Sequence, residues 1–337
     1  MIARACLAML LLAVMLAAGQ ANAGVKKKDT IESLENKTVE VRPGKIILDS
    51  SELAREGYRD FLDLVSDDPV LRAEAMRRLG DLELEASEAD QLAENIESLD
   101  TRGFDNAVGL YQKLLEAYPD YRRNDTVLYQ LARAYEVGGR TDEALQVLNE
   151  LVTGYPQTAF IDEVQFRRGE MLFLRKDYND AEMAYHEVVE YGDASRFYEQ
   201  SLYKLGWSQF KLAWYEDSLT PFFELLDLKL AGVEVGEGEQ RLATLKRAER
   251  ELIEDAFRVL SISFSYMEGA DSIDSFLSER ALPKYAYVIY INLGDLYLEQ
   301  ERYQDAAETY EAFVNQDPYH PKAPVLQVRV IESYKQG

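Results

Sequence analysis

The chain has 337 residues, of which 47% are hydrophobic, and a formal net charge of −24 at pH 7. This hydrophobic fraction is ordinary for a chain that buries a continuous core, whereas the strongly negative surface repels phosphate backbones and anionic lipid headgroups and argues against nucleic-acid binding. Cys6 is the only cysteine and lies in an N-terminal apolar run, so removal of that run excludes disulfides, cysteine metal sites and a cysteine nucleophile.

Residues 1–23 have the pattern of a secretory signal peptide. A short basic start ends at Arg4, an apolar run spans residues 5–18, and residues 21–23 form a small-residue cleavage site that leaves Gly24 as the mature start. The run is short for a membrane span, although an uncleaved anchor is the alternative, because Lys26 to Lys28 oppose translocation. Cleavage would leave no transmembrane segment. The short signal and the absence of disulfides then favour a location in a bacterial periplasm. Peripheral association of the protein with the envelope stays open.

Residues 24–49 are polar and irregular and are predicted to be a flexible leader. Ser50 and Ser51 can cap a helix that continues through Leu64. Asp68 followed by Pro69 is a typical helix start. We therefore predict that a helical body spans residues 50–337.

Within this body the sequence repeats every 37 residues. The small residues Ala107, Ala144 and Ala181 stand at this interval. A bulky residue follows each of them four positions later, namely Tyr111, Leu148 and Tyr185. A proline follows the first two twelve positions later, namely Pro119 and Pro156. A fixed period of this length indicates stacked units that cannot bury their apolar faces alone.

The unit resembles the tetratricopeptide repeat (TPR). One copy comprises Tyr290, Leu293, Gly294, Tyr297, Ala306, Tyr310, Phe313 and Pro318, and another comprises Leu128, Leu131, Ala132, Tyr135, Ala144, Leu148, Leu151 and Pro156. The resemblance implies an all-α fold, a right-handed TPR-type α-solenoid of antiparallel helix pairs with about 37 residues per repeat. We expect the small residues, such as Gly294 and Ala306, to lie where paired helices cross.

The period of 37 is longer than the 34 residues usual for this family. Together with Tyr118-Pro119 and Tyr155-Pro156 at the ends of second helices, it resembles the periplasmic TPR proteins of bacterial envelopes, such as BamD-like proteins. That resemblance implies a role in assembly of the cell envelope, in division or in energy-coupled outer-membrane machinery.

Two insertions and an incomplete end interrupt the pattern. The insertions are predicted near residues 87–101 and 229–250. Val325 to Tyr334 reads as a first helix without a second, which favours truncation within the last repeat and a longer protein. The alternative is that this helix docks on Tyr310 and Phe313 and caps the stack.

The sequence offers no catalytic constellation. His186 and His320 are the only histidines and fall on different repeats, and no metal-binding or phosphate-binding motif is present. We therefore expect a protein that is not an enzyme and needs no cofactor or metal.

The TPR resemblance also implies a binding groove, because first helices line the concave side of such solenoids. The family's exposed positions fall on eight residues here: Tyr129, Arg133, Phe166, Glu170, Phe173, Tyr203, Trp207 and Phe210. Aromatic residues dominate interface energetics, so we expect a protein or peptide partner, and the net charge suits a basic one. The alternative is that these rings pack between neighbouring units.

These observations favour a non-enzymatic periplasmic TPR scaffold that mediates protein–protein interaction. Two alternatives remain open at this point. The chain could be the accessory region of a larger enzyme, or a self-assembling structural protein whose last helix pairs between chains.

Overall fold

The computed structural model describes residues 50–64, 68–93, 102–231, 245–278 and 280–337. The chain divides into two units, residues 1–50 and 51–337. The predicted signal peptide and leader lie outside the described residues. The described helices are α1 (Ser50–Leu64), α2 (Pro69–Ala93), α3 (Arg102–Ala117), α4 (Asn124–Val137), α5 (Thr141–Gly154), α6 (Ile161–Leu174), α7 (Tyr178–Val189), α8 (Tyr198–Lys211), α9 (Tyr215–Leu230), α10 (Arg247–Tyr266), α11 (Ala270–Ser278), α12 (Ala286–Glu299), α13 (Tyr303–Gln316) and α14 (Ala323–Gln336).

The described residues form an all-α solenoid, as predicted. Consecutive helices pack against each other as the pairs α2/α3, α4/α5, α6/α7, α8/α9 and α12/α13, and each pair packs on the next. The exception is the degraded pair, in which α10 packs mainly against α9 and α12 and the short helix α11 contributes little. None of the described helices is both long and apolar enough to cross a membrane.

Parts of the two predicted insertions are helical. Helix α2 continues to Ala93, and Ser87 is buried within it and donates its hydroxyl hydrogen to the Glu83 carbonyl at 2.8 Å. Residues 87–93 of the predicted insertion therefore extend a first helix. Likewise α9 includes residues 229–230 and α10 includes residues 247–250. Residues 94–101 and 232–244 lie outside the described residues.

In four of the described helix pairs, the helices cross where a glycine faces an aromatic ring. An added Cβ at Gly206 would lie 2.7 Å from a ring carbon of Phe222, closer than real Cβ contacts. The same contact recurs in four pairs: Gly80 with Tyr111, Gly169 with Tyr185, Gly206 with Phe222, and Gly294 with Tyr310. The alanines four residues before three of these rings, Ala107, Ala181 and Ala306, are fully buried. Small side chains thus let the paired helices approach closely, as expected.

The crossing tyrosines satisfy their hydroxyl groups in a repeated way. Tyr185 donates to Glu170 at 2.6 Å, and Glu170 is the residue that follows the crossing glycine. Tyr111 donates to Asp81 at 2.9 Å and Tyr310 to Asp295 at 2.6 Å by the same rule. Each ring therefore fills a crossing while its polar end remains hydrogen-bonded, which avoids the cost of an unsatisfied hydroxyl.

The turn between paired helices contains a residue whose backbone is in the left-handed region. Gly139, Lys176 and Ala213 have φ values of +75°, +67° and +60° and stand 37 residues apart. Glu301, with φ +59°, lies at the equivalent position in the turn between α12 and α13. Side chains in this region cost about 1–2 kcal/mol, so Lys176, Ala213 and Glu301 are tolerated because packing of the pair fixes the turn.

The link to the last helix contains a buried histidine. The His320 ring lies 5.1 Å from the Tyr287 ring and 5.2 Å from the Phe313 ring. The Lys322 backbone N–H donates to Nδ1 at 3.1 Å, and the buried Nε2 has no hydrogen-bond partner among the described residues. Burial lowers the pKa of His320 below its ordinary value of 6.5, although Asp317 opposes this shift.

Replacing Gly206 with alanine should destabilise the fold, because the added methyl group overlaps the Phe222 ring and overpacking costs about 1–3 kcal/mol. Gly109 provides the matched control, since nothing lies within 4 Å of an added Cβ in α3. Gly109→Ala should stabilise by about 0.5–1 kcal/mol. Urea unfolding of both variants measures the difference. Equal effects would contradict the crossing geometry.

Acid should destabilise the wild-type chain more than a His320→Gln variant. The folded state holds His320 neutral, so as pH falls through 6.5 the unfolded state takes up the proton first and stability declines. Glutamine can still accept the Lys322 N–H but does not titrate. Melting temperatures at about pH 7.5 and about pH 5.5 isolate this contribution as the difference between the two proteins. An equal decline in both would show that His320 does not carry it.

Candidate partner-binding groove

The eight predicted groove residues lie on the first helices of three successive pairs. All eight are half-buried, and they divide as follows: Tyr129 and Arg133 on α4; Phe166, Glu170 and Phe173 on α6; Tyr203, Trp207 and Phe210 on α8. We define the groove as the surface of α4, α6 and α8 that carries these side chains.

On α4, Tyr129 is held by groups from the next repeat. Its hydroxyl donates to Glu163 at 2.5 Å and accepts from Arg167 Nε at 2.9 Å, and its ring lies 5.2 Å from that of Phe160. Burial raises the pKa of Tyr129 to about 12, and the Glu163 carboxylate adds to the shift. Arg133 instead donates to Glu88 of α2 at 2.6 Å, so its charge is already paired.

On α6, Phe166 and Phe173 face different neighbours. The Phe166 ring stacks on Phe197 with centroids 4.7 Å apart. The Lys204 ammonium lies 4.9 Å from the centre of the Phe173 ring and 3.1 Å from a carboxylate oxygen of Glu170. Lys204 of α8 therefore joins the second and third units of the groove.

On α8, Tyr203 and Trp207 share one acceptor. The Asp255 carboxylate of α10 accepts the Tyr203 hydroxyl at 2.7 Å and the Trp207 indole N–H at 3.0 Å. Phe210 packs edge-on against Trp207 at 5.5 Å. Burial, followed by the hydrogen bond to Asp255, raises the pKa of Tyr203 to about 12. This arrangement fixes both polar aromatic side chains from one side and leaves part of each ring exposed.

The groove residues form two groups and not one continuous stripe. Tyr129, Phe166 and Phe173 pack against the core cluster of the first half, which continues to Leu205. Tyr203, Trp207 and Phe210 pack against the cluster of the second half, which begins at Leu219. These contacts also show packing between units, which was the alternative interpretation of the rings. The rings are only half-buried, so packing between units leaves part of each ring accessible, and binding of a partner there stays a prediction.

Charge is distributed unevenly between the two kinds of helix. The second helices α5, α7 and α9 carry ten acidic side chains and one basic side chain. The first helices α4, α6 and α8 carry six acidic and five basic side chains. The strongly acidic surface therefore lies on the second helices, and the groove itself is close to neutral.

Several cations lie over the groove rings. The Arg167 guanidinium is 5.7 Å from the centre of the Tyr129 ring, and Lys211 and Arg258 are 5.1 and 5.9 Å from that of Trp207. Such contacts are worth about 0.5–1 kcal/mol at exposed sites. They hold the rings in defined orientations.

Sequence reasoning missed several residues that shape the groove, chiefly Asp255, Lys204 and Phe197. Asp255 lies 48 residues from Trp207 along the chain, and acidic residues are too abundant for one to stand out. Lys204 did carry a usable signal, since it stands 34 residues after Glu170, and Arg329 stands 34 after Asp295 with the same pairing. Cations in the next first helix thus recur with the repeat.

The described residues contain no group of three or more His, Cys, Asp or Glu side chains that could hold a metal ion. His186 is exposed on α7 and His320 is buried between α13 and α14. The two histidines therefore lie on separate elements, and nothing in the groove points to catalysis.

Comparison with known proteins agrees with this architecture. Two profiles of the tetratricopeptide repeat family match residues 101–160 and 269–323. No curated protein sequence matches the chain.

Solved structures with similar folds share little sequence with the chain. A MamA structure designated AMB-1 is 16% identical, with 64% of this chain and 97% of that chain covered and a TM-score of 0.40. A tetratricopeptide repeat protein from Parabacteroides merdae is 16% identical, with coverages of 84% and 98% and a TM-score of 0.35. The apo form of RapI is 14% identical, with coverages of 86% and 94% and a TM-score of 0.39. Similarity at this level carries no inference about function.

The repeated glycine–aromatic crossings, the 37-residue period and the two family matches lead to one conclusion: the chain contains tetratricopeptide repeats.

Proposed function

We propose that the chain is a non-enzymatic scaffold that binds a segment of a partner protein across α4, α6 and α8. One observation carries this proposal: six aromatic rings on three consecutive first helices are half-buried and are each held by neighbouring side chains. Tetratricopeptide repeat proteins are typically interaction scaffolds, and extended or helical peptides commonly dock on grooves of this kind.

The fixed rings would favour binding by lowering its entropic cost. Immobilising a free side chain at an interface costs about 0.5–1.5 kcal/mol. Tyr203 and Trp207 are already restrained by Asp255, and Tyr129 by Glu163 and Arg167. A partner would therefore contact rings that have little freedom left to lose.

The charge around the groove bears on the chemistry of the partner. The chain's net charge suggests a basic partner, but the first helices are nearly neutral and their cations lie over the rings. We propose that the bound segment is mainly apolar or aromatic. Basic residues flanking that segment could approach the acidic second helices without being required for docking.

We further propose that the scaffold works in the bacterial periplasm, in assembly of the cell envelope. The support comes from the sequence: a basic start, an apolar run and a small-residue cleavage site precede Gly24. The resemblance to BamD-like envelope proteins motivates the process.

Removing the aromatic rings of the third unit should strongly weaken partner retention. A Tyr203→Ala/Trp207→Ala variant loses the two rings whose polar groups donate to Asp255. Truncation of hot-spot residues of these types costs about 2 kcal/mol or more, so we expect a roughly 30-fold loss of affinity. The measurement is quantitative capture of proteins from an envelope extract by the immobilised chain. A Phe166→Ala variant tests the second unit of the same groove.

The control is a Tyr191→Ala/Trp214→Ala variant, which removes the same residue types from exposed positions off the groove. Circular dichroism melts confirm that each variant is folded. Unchanged capture by the groove variants, or equal loss in the control, would refute the groove as the binding surface.

The location has its own test. Expression in a bacterium followed by osmotic release should place the protein in the periplasmic fraction, with an intact mass that starts at Gly24 because the signal has been cleaved. A cytoplasmic protein that retains residues 1–23 would contradict the proposed location and leave the groove to be judged separately.

A further inference from the structure

The turn that joins the two helices of a pair has a repeated backbone pattern. The residue before the second helix donates its N–H to a carbonyl five residues earlier, and its own carbonyl accepts an N–H from four residues later. In the described pairs from α4/α5 to α12/α13 this residue is Arg140, Asp177, Trp214, Gly269 and Arg302. The side chain at one structural position can therefore be compared between turns.

At two of these turns an arginine pairs with the start of the second helix. Arg302 donates to Asp305 at 2.6 Å, and its guanidinium lies 4.1 Å from the centre of the Tyr297 ring. Arg140 donates to Glu143 at 2.9 Å in the same way. At this position the fold thus places a guanidinium between a carboxylate and an aromatic ring.

Trp214 and Gly269 bring no positive charge to their turns, although acidic side chains surround both. Asp217 holds the position of the paired carboxylates, Glu216 lies beside it in the first turn of α9, and Glu268 lies in the turn before α11. All three are exposed, and their carboxylates make no ion pair or hydrogen bond with any residue that the structure describes. These two turns therefore have the carboxylates of the pattern without its cation.

An open cavity of about 420 Å³ lies between the two turns. This volume falls within the range of ligand sites, about 300–1,000 Å³. The cavity is bounded by α9, by the turn between α10 and α11 and by α11, and its lining includes Glu216, Leu219, Met267, Glu268, Ser272 and Phe276. We call it the acidic cavity. Two carboxylates that lack a cation thus share one cavity with three apolar side chains.

The walls of the acidic cavity are held in place by contacts within the chain. The Phe276 ring packs against Phe223, with centroids 4.8 Å apart. The Glu268 backbone N–H donates to the Ser272 hydroxyl at 2.9 Å, which fixes the turn that carries the carboxylate. The guanidinium of Arg280 lies 3.9 Å from the centre of the Phe276 ring, so this ring already attracts one guanidinium. A ligand therefore meets walls that need little further ordering.

A row of aromatic rings connects the acidic cavity to the groove. The groove residue Phe210 lies 5.6 Å from the Tyr215 ring, which stacks on the Tyr266 ring at 4.7 Å. Tyr215 and Tyr266 immediately precede Glu216 and Met267 of the cavity lining, and Tyr266 is 62% exposed. A segment that lies on Phe210 therefore has aromatic surface along its way to the cavity.

We propose that the acidic cavity binds an arginine side chain that flanks the apolar segment of the partner. The alkyl part of the arginine lies against Leu219, Met267 and Phe276, and its guanidinium pairs with Glu216 and Glu268. A planar and weakly hydrated guanidinium suits a site of rings and carboxylates better than an ammonium does. The place of this arginine in the partner rests on the proposed function, whereas the affinity of the cavity for a guanidinium does not.

The test titrates the purified full-length chain with N-acetyl-arginine methylamide, which carries one guanidinium and no segment for the groove. The isotope-labelled methyl group of Met267 reports on the cavity by NMR, and that of Met183, which is 48% exposed on α7, serves as the reference. We expect a saturable shift of the Met267 signal and none of the Met183 signal. The neutral analogue N-acetyl-citrulline methylamide should bind at least about tenfold more weakly, because a charged hydrogen bond is lost.

Two variants with the same change in net charge identify the carboxylates. Glu216→Gln/Glu268→Gln should weaken binding of the arginine probe at least about tenfold. Glu150→Gln/Glu187→Gln removes two exposed carboxylates of α5 and α7 and should bind like the wild type. All four positions are exposed, so the fold should survive, and circular dichroism melts verify this.

Two results of the titration would overturn the proposal. One is a wild-type chain in which the Met267 signal shows no saturable shift. The other is equal weakening in both glutamine variants, which would show a general effect of net charge. The titration contains no partner protein, so its outcome is independent of the capture experiment that tests the groove.

The capture experiment tests the place of the arginine in the partner. The Glu216→Gln/Glu268→Gln variant should retain the groove partner about tenfold more weakly than the Glu150→Gln/Glu187→Gln control does. Equal retention by the two variants would show that the partner places no arginine in the acidic cavity.

Discussion

The contact between a glycine of one helix and an aromatic ring of its partner is the constraint on which the rest of the structure depends. At Gly169 and Gly206 a single added methyl group would lie 2.7 Å from a ring carbon. The helices approach this closely only because the side chain is absent, and the ring of Tyr185 or Phe222 then fills the space beside the crossing. The contact recurs in four of the described helix pairs, and the units stack into a solenoid.

The same crossing also connects neighbouring repeats. The tyrosine that lies on the glycine donates to the carboxylate that follows it, as Tyr185 does to Glu170 and Tyr310 to Asp295. That carboxylate then pairs with a cation of the next first helix, Lys204 or Arg329. Packing inside a unit and polar contacts between units therefore share atoms. A substitution at a crossing should be felt in the adjacent repeat, and for this reason such positions are expected to couple non-additively.

The arrangement also separates the tasks of the two helix types. Second helices place rings such as Tyr185, Phe222 and Tyr310 in the core, and α5, α7 and α9 carry ten acidic side chains against one basic side chain. First helices present half-buried rings whose orientations are fixed by Glu163, Lys204 and Asp255. On the first and last of the described helices, Leu64 of α1 and Tyr334 of α14 are more than half exposed.

The sequence by itself determined the helix pairs, their period and the small residues at the crossings, because local periodicity and side-chain size act within one unit. It also placed Tyr203, Trp207 and the other groove residues on first helices. Only the tertiary structure decided that α2 continues past Ser87, that Asp255 fixes two groove rings, and that the rings divide between two cores. These features depend on contacts between residues that are far apart in the chain. The chain has many carboxylates, and composition and spacing do not indicate which of them will accept a given hydrogen bond.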